Sequence, residues 1–206
     1  VTSGSVGLFN GSGTNFTARF FPQVDGTVLL IVRDSVFTDA AGNYNLSSNQ
    51  YYWTYDGTGP MISISSNEIS IGTATNDKTI DLIFTSSESV NSFNENDLIL
   101  SNGAVDSLLK INDTLYSVTF TTASDGVSSL NILSEAFSDL YGNANSEGVT
   151  FNWLHDETGP DMAITSTTLS KNSTTNDTSI AIRFVSSETT RDFTIEDITP
   201  NNGVLD

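Results

Sequence analysis

Residues 115–133 read LYSVTFTTASDGVSSLNIL, two runs of alternating apolar and polar residues on either side of Ser124-Asp125-Gly126. Successive side chains of a β-strand point to opposite faces, so the alternation predicts strands at 115–121 and 127–133 that each bury one face. The short glycine-containing segment between the two runs is a turn signal. This stretch therefore predicts β-structure packed against a core on one side.

The chain repeats itself at an offset of 100 residues. Aligning 61–106 with 161–206 and 15–60 with 115–160 gives 30 identities in 92 pairs without a gap. The repeated motifs include Thr-Gly-Pro from 58 and 158, Thr-Asn-Asp from 75 and 175, Ser-Ser-Glu from 86 and 186, Asn-Gly from 102 and 202, and Phe-x-Asp-x-x-Gly-Asn-x-Asn from 37 and 137. A repeating structural unit of this length is the main organisational signal in the sequence.

Alternation within one repeat predicts seven short strands, at 61–65, 79–85, 98–101, 104–109, 115–121, 127–133 and 149–155. The predicted inward-facing side chains are Ile80, Leu82, Phe84, Tyr116, Val118, Phe120, Leu130, Ile132, Val149, Phe151 and Trp153. The corresponding earlier positions stay apolar or aromatic: Phe16, Ala18, Phe20, Leu30, Val32, Tyr51 and Trp53. Seven strands without helical periodicity indicate an antiparallel two-sheet sandwich of immunoglobulin type.

Taken together, the repeated motifs resemble the bacterial Ig-like tandem repeats of large cell-surface adhesins and fibrillar surface proteins, over essentially the whole chain. The resemblance implies an all-β fold of tandem immunoglobulin-like antiparallel β-sandwiches, about 100 residues per repeat. It also implies an extracellular, cell-surface structural protein, a module of a stalk or of a self-assembling filament. Two alternatives remain open at this point: a calcium-stiffened adhesin extender, and a carbohydrate-binding module of a secreted protein.

The Gly-Pro boundaries divide the chain into three parts. Residues 1–59 correspond to the C-terminal part of a repeat, 60–160 to a complete repeat, and 161–206 to the N-terminal part of a repeat. Half a sandwich exposes strand edges and an apolar face, which favours pairing with further strands. We expect the two parts to be completed between copies of the chain or within a longer repeat array, the alternative being that they close on each other.

Charge restricts the partners. Seven Lys and Arg against 25 Asp and Glu give a net charge of −18, which argues against nucleic acid and anionic lipid, since phosphate contacts need cationic side chains. The longest apolar run, Val28 to Val32, is too short for membrane insertion. The expected partners are therefore other copies of the chain or neighbouring Ig-like repeats, and glycans.

The repeated carboxylates are the candidates for binding chemistry. Ca²⁺ takes six to eight oxygen ligands. One site is predicted from Asp56, Asp77 and Glu88 at the first repeat junction, and another from Asp156, Asp177 and Glu188 at the second. The alternative is that these residues, like the Asp-x-x-Gly-Asn motifs, are turn and capping residues, in which case the protein has no cofactor.

No catalytic residues are predicted. His155 is the only histidine, and its counterpart in the preceding repeat is Tyr55, so the position is expected to hold an aromatic ring at a strand end rather than a catalytic base. Trp53 and Trp153 suit a sandwich core, although exposed rings in their place would form a sugar-stacking platform. The chain is therefore not expected to be an enzyme.

Six Asn residues lie in N-glycosylation sequons: Asn10, Asn15, Asn45, Asn112, Asn172 and Asn176. With 20 Asn and 56 Ser or Thr among 206 residues, about this many sequons arise by chance. The sequence therefore offers these six Asn residues as glycosylation sites, and the predicted fold does not require glycans on them.

Overall fold

A computed structural model describes residues 4–205, which form two compact units, one reaching His155 and one starting at Asp156. The strands of the first unit are β1 (Gly4–Ser12), β2 (Asn15–Pro22), β3 (Gly26–Leu30), β4 (Tyr51–Tyr55), β5 (Ile62–Ser65), β6 (Ala74–Thr75), β7 (Thr79–Ser86), β8 (Ile99–Ser101), β9 (Gly103–Val105), β10 (Leu109–Asn112), β11 (Leu115–Thr122), β12 (Gly126–Ile132) and β13 (Val149–His155). The second unit contains β14 (Met162–Ser166) and β15 (Ile182–Ser186). Short 3₁₀ turns lie at Glu95–Asp97 and Ile195–Asp197.

The middle repeat is a sandwich of two sheets. One sheet has the order β10-β11-β7-β5, with β9 also paired to β11. The other has the order β6-β13-β12-β8, and its β6–β13 pair is the parallel one. These are the sheet partners of an immunoglobulin-type sandwich, whose two sheets carry strands A, B, E, D and C, F, G. The predicted fold class is confirmed.

The core of the middle repeat lies between these sheets. Every predicted inward-facing side chain of this repeat is buried except Val149, which is half-buried. At its centre the Trp153 ring packs edge-on against Phe120, with ring centroids 4.8 Å apart. Phe93 and Phe137, from the connections between strands, complete an aromatic cluster with Tyr116. Alternation therefore located the part of the core that the strands contribute, whereas Phe93 and Phe137 were not predicted by it.

Two details of the sandwich differ from the sequence prediction. The strand predicted at 104–109 is split into β9 and β10, because the Asp106 side chain accepts a hydrogen bond from the Thr119 backbone N–H (2.9 Å) and turns the chain between them. Asn102, with φ of 56°, lets the chain pass from β8 in one sheet to β9 in the other. The two-residue strand β6 was not predicted, since two residues are too few to show alternation.

The strands before residue 56 form two hairpins, β1–β2 and β3–β4, each a two-stranded sheet. Phe20 packs edge-on against Trp53 with ring centroids 5.4 Å apart, the counterpart of the Phe120–Trp153 contact. The corresponding side chains are nevertheless far more exposed than in the middle repeat: Phe37 is 58% exposed and Phe137 3%. This part is half a sandwich with an open apolar face.

The unit from Asp156 onward contains the opening hairpin of a repeat. β14 pairs with β15 in the register that β5 and β7 adopt, Met162 opposite Ser186 as Ile62 is opposite Ser86. Its apolar face is open as well, with Ile182 44% exposed where Leu82 is completely buried. Within residues 4–205 no helix is long and apolar enough to cross a membrane.

Candidate functional site

The junction segment, residues 56–60, connects the first half repeat to the middle repeat. The Asp25 carboxylate accepts hydrogen bonds from the Thr58 hydroxyl and from the Gly57 backbone N–H (2.7 Å). These bonds, the one from Thr58 first, lower the pKa of Asp25 below its ordinary value. Pro60 is buried at the end of the segment, where its ring fixes the backbone φ. The connection is therefore an ordered turn rather than a loose linker.

The junction loop, residues 137–145, faces this segment. Asp139 is buried and accepts hydrogen bonds from the backbone N–H groups of Tyr141 and Asn143 and from the Asn143 side chain, all at 2.8 Å. Burial acts to raise the pKa of Asp139, but the hydrogen bonds outweigh it and the pKa is lowered. Asn145 accepts from the Phe137 backbone N–H (3.0 Å) and donates to two carbonyls. The repeated Asp-x-x-Gly-Asn-x-Asn motif thus builds a rigid loop.

Segment and loop are in direct contact. The Asn143 side chain donates to the backbone carbonyl of Asp56 (3.3 Å), and a Cβ placed on Gly59 would overlap the carbonyl oxygen of Ala144. Only glycine permits this approach of the two backbones. The Thr-Gly-Pro motif is therefore an inter-repeat docking element as well as a turn.

Three carboxylates meet at this contact. Oxygens of Asp56, Glu88 and Asp139 lie within 4.8 Å of one another. Partial burial of Glu88, and then repulsion from Asp56, Asp139 and Asp25, raises the pKa of its carboxyl group. These residues are the ones in the described part of the chain that could share a cation, and the repulsion among them is what a cation would relieve.

The structure brings together two of the three ligands predicted for the first junction. Asp56 and Glu88 belong to the cluster, whereas Asp77 lies outside it and accepts a hydrogen bond from the Thr75 hydroxyl (3.1 Å), a turn role. The third carboxylate of the cluster is Asp139, which belongs to a repeated Asp-x-x-Gly-Asn turn motif but was not among the predicted ligands. Its packing against a residue 83 positions earlier has no local sequence signal, although the duplicated Asp39 marked the position as structurally important.

The calcium ligands predicted for the second junction do not come together in the unit from Asp156 onward. Asp156, Asp177 and Glu188 form no such group in the part of the chain that the structure describes, and Asp177 accepts from the Thr175 hydroxyl (2.8 Å) as Asp77 does from Thr75. Calcium binding at either junction stays a prediction.

Replacement of Glu88 by glutamine distinguishes charge repulsion from calcium binding. A raised carboxyl pKa in the folded state means that stability falls as pH rises through the window between the unfolded and folded values. At neutral pH in chelator, E88Q is therefore expected to melt at a higher temperature than the parent chain. In calcium the order should reverse, because the variant has lost a charged ligand.

Glu147→Gln, an exposed carboxylate of the same repeat, is the matched control and should leave melting unchanged in both buffers. Identical melting of the parent chain in calcium and in chelator would remove the calcium prediction. A lower melting temperature of E88Q in chelator would contradict the repulsion.

The aromatic residues occupy core positions in the middle repeat. Trp153 is 1% exposed, so it forms no sugar-stacking platform there, and His155 is buried at the end of β13, as expected for a strand-end ring. In the first half repeat Trp53 is half-buried beside an exposed Tyr51. The equivalent face of the middle repeat is covered by that repeat's own opening strands. The burial of Trp153 supports the core assignment over the carbohydrate-binding alternative.

The sequon residues lie on the surface with one exception. Asn10, Asn15, Asn112, Asn172 and Asn176 are exposed. Asn45 is half-buried, and its side-chain amide donates to the carbonyls of Arg33 (2.6 Å) and Leu46 (2.9 Å). An attached glycan replaces one of the two hydrogens on this nitrogen and so removes one of these bonds, which makes Asn45 the sequon least suited to modification.

Comparison with known families agrees with this structure. Residues 56–153 match the family model of a bacterial Ig-like domain, which confirms, for this part of the chain, the resemblance carried by the repeated motifs. No curated protein and no solved structure shows a match. Bacterial Ig-like domains are typically structural modules without enzymatic activity and usually occur in surface or extracellular proteins.

Proposed function

We propose that the protein is a structural module of an extracellular surface stalk or filament, and that copies join by completing each other's half repeats. In this arrangement the strands of residues 161–206 of one copy cover the open face of residues 1–59 of the next. The observation that supports the proposal is that the two halves together contain the sequence positions of every strand of the middle repeat, while side chains equivalent to its core, such as Phe16, Tyr51 and Ile182, are exposed.

The first half supplies the closing strands. β2, β3 and β4 correspond to β11, β12 and β13, and β1 covers the positions of β9 and β10. Phe16 and Tyr51 are exposed on its open face, whereas their counterparts Tyr116 and Phe151 are buried under the opening strands. Apolar surface of this kind is stabilised by covering it, at about 25 cal/mol per Å².

The second half supplies the opening strands. β14 and β15 correspond to β5 and β7, and beside β15 lies an open groove of about 720 Å³. Its apolar lining comes from Ile180, Ile182, Phe184, Ile195, Ile198, Val204 and Leu205. In the middle repeat the equivalent space is filled by the core, so the groove has the position that a partner's aromatic side chains would occupy.

The middle repeat also defines the register of the proposed pairing. β11 pairs with β7 so that Phe120 lies opposite Ile80 and Ser117 opposite Ile83. Transferred by the repeat offset, β2 of one copy would pair with β15 of another, with Phe20 opposite Ile180 and Thr17 opposite Arg183. Both strands lie in two-stranded sheets in the described residues, which leaves one edge of each for such pairing.

Cysteine cross-linking tests this register, since the chain contains no cysteine of its own. Opposed residues on paired strands have Cβ atoms about 4.5–5.5 Å apart, close enough for a disulfide after a small adjustment. A mixture of Thr17→Cys chains with Arg183→Cys chains should give a covalent dimer under oxidising conditions. Thr165→Cys replaces Arg183→Cys in the control, because Thr165 lies one strand farther from the proposed contact.

A chain carrying both T17C and R183C separates completion between copies from closure within one chain. Completion between copies gives covalent multimers. A monomer with an internal disulfide, together with no cross-link in the mixture of single variants, would overturn the proposal.

Removal of residues 1–59 is expected to abolish assembly while the middle repeat stays folded. The truncated chain keeps its opening strands but offers no closing strands to another copy. Sedimentation at increasing concentration should show open-ended growth for the 206-residue chain and a monomer for the truncated one. Because the net charge of −18 makes copies repel, assembly should strengthen with salt. A strictly monomeric 206-residue chain at high salt and high concentration would contradict the proposal.

A further inference from the structure

The junction contact within the chain provides a template for a second contact between copies. In the first junction, Gly59 is half-buried and Pro60 buried, and the backbone of residue 59 lies directly against Ala144. In the second junction segment, residues 156–160, the turn is the same: the Thr158 N–H donates to the Asp156 carboxylate at 3.2 Å, as Thr58 does to Asp56 at 3.3 Å. There Gly159 and Pro160 are exposed.

The loop that would receive this second segment is already formed in the first half repeat. Residues 37–45 repeat the junction loop bond for bond: Asp39 accepts from the backbone N–H groups of Ala41 and Asn43, both at 2.9 Å, and from the Asn43 side chain at 3.0 Å. The same bridge closes both loops, Thr38 with Tyr44 and Ser138 with Ala144.

This preformed loop is exposed. Asp39 lies on the surface, whereas Asp139 is 2% exposed. The hydrogen bonds from Asn43 lower the pKa of Asp39, and those from Asn143 lower the pKa of Asp139 against the opposing effect of burial. A loop that needs no ordering on contact loses little conformational entropy when a partner binds.

We propose that residues 156–160 of one copy dock on residues 37–45 of a second copy, with Gly159 against the backbone of Tyr44 and the Asn43 side chain donating to the carbonyl of Asp156. The proposal rests on the proposed function, because strand completion brings these two elements together. It adds a distinct surface to the interface: strand completion joins sheet edges and core, whereas this contact fixes the orientation of each completed repeat on the one before it.

Gly159→Val tests the contact without disturbing the isolated chain. A Cβ at position 159 meets no described atom within 4 Å, so the variant should fold as the parent does, but in the docked arrangement it would overlap the partner's loop as a Cβ on Gly59 would overlap Ala144. Assembly measured by sedimentation should weaken by at least about tenfold, the equivalent of about 1.4 kcal/mol. Thr167→Val, at an exposed position of the same unit, adds the same side chain elsewhere and should assemble normally.

The cross-link between T17C and R183C chains separates this inference from the proposed function. If Gly159→Val chains assemble with the affinity of the parent while the cross-link still forms, strand completion stands and the docking contact is overturned. If the parent chain gives neither assembly nor cross-link, the proposed function fails and the contact with it. If G159V chains assemble more weakly than the parent, and those that do assemble still form the cross-link between positions 17 and 183, both the proposed function and the docking contact are supported.

Discussion

Replacement of Trp153 by alanine is expected to destabilise the middle repeat by about 3–5 kcal/mol, the usual cost of removing a buried tryptophan. The side chain is 1% exposed and packs between Phe120 and Phe151, from opposite sheets of the sandwich. Its removal leaves a cavity that both sheets line, and neither can collapse into it without moving a strand. Hydrogen exchange of peptides from β7 and β11, followed by mass spectrometry, reports the loss within this repeat.

Trp53→Ala is the matched control. Trp53 has the same edge-on phenylalanine neighbour, Phe20, but it is half-buried in the open half repeat. Because part of the ring already contacts water, its removal in dilute chains should cost clearly less than the removal of Trp153. Equal costs for the two variants, or a W153A chain that exchanges like the parent, would contradict the core assignment.

Asn145→Ala is expected to cost about 2–4 kcal/mol, since each buried polar group left without a partner costs about 1–3 kcal/mol. The Asn145 side chain is fully buried, accepts from the Phe137 backbone N–H, and donates to the carbonyls of Leu133 (2.8 Å) and Glu147 (2.9 Å). Alanine removes the partner of these three backbone groups and leaves a gap at the buried position of the Asn145 amide. Denaturant unfolding and exchange of the 133–147 segment measure the loss.

The equivalent substitution in the open half repeat provides its control. Asn45 accepts from the Phe37 backbone N–H (3.1 Å) and donates to the carbonyls of Arg33 and Leu46, but it is half-buried, so water can replace the lost amide. In dilute chains N45A should cost less than about 1 kcal/mol. A cost for N45A equal to that of N145A would show that burial does not determine the contribution of this motif.

The sandwich was predictable because its signals are local. Alternation placed the inward-facing side chains of β7, β11, β12 and β13, and the duplicated Gly-Pro and Gly-Asn motifs located the turns and the repeat length. In these elements the period of the backbone dictates which side chains reach the core. One sequence was enough, since the chain carries a second copy of most of its own pattern.

The junction was predictable only in part because its contacts are distant in sequence. Glu88 and Asp56 were proposed together from their place near the Gly-Pro boundary, but the arrival of Asp139 depends on how the junction loop folds back on the preceding repeat. Likewise, the need for glycine at position 59 comes from the carbonyl of Ala144 rather than from its own turn. Turn propensity explains the motif without revealing what packs against it.

The short parallel pair between β6 and β13 has a mechanical consequence for a chain under tension. Two hydrogen bonds accompany the pair, Leu154 N–H to the Thr73 carbonyl (2.9 Å) and Gly72 N–H to the Asn152 carbonyl (2.8 Å). The chain enters the middle repeat through β5, which pairs with β7 in the other sheet, then continues to β6, and it leaves from the end of β13. Once β5 has been pulled from β7, tension on the two ends slides the parallel neighbours β6 and β13 along each other. The hydrogen bonds between β6 and β13 are then perpendicular to the applied force and are loaded at the same time. Antiparallel strands that are pulled apart from a shared end instead lose their hydrogen bonds one after another. A strand of two residues, too short to read in the sequence, is thus placed where it holds the sandwich closed against stretching.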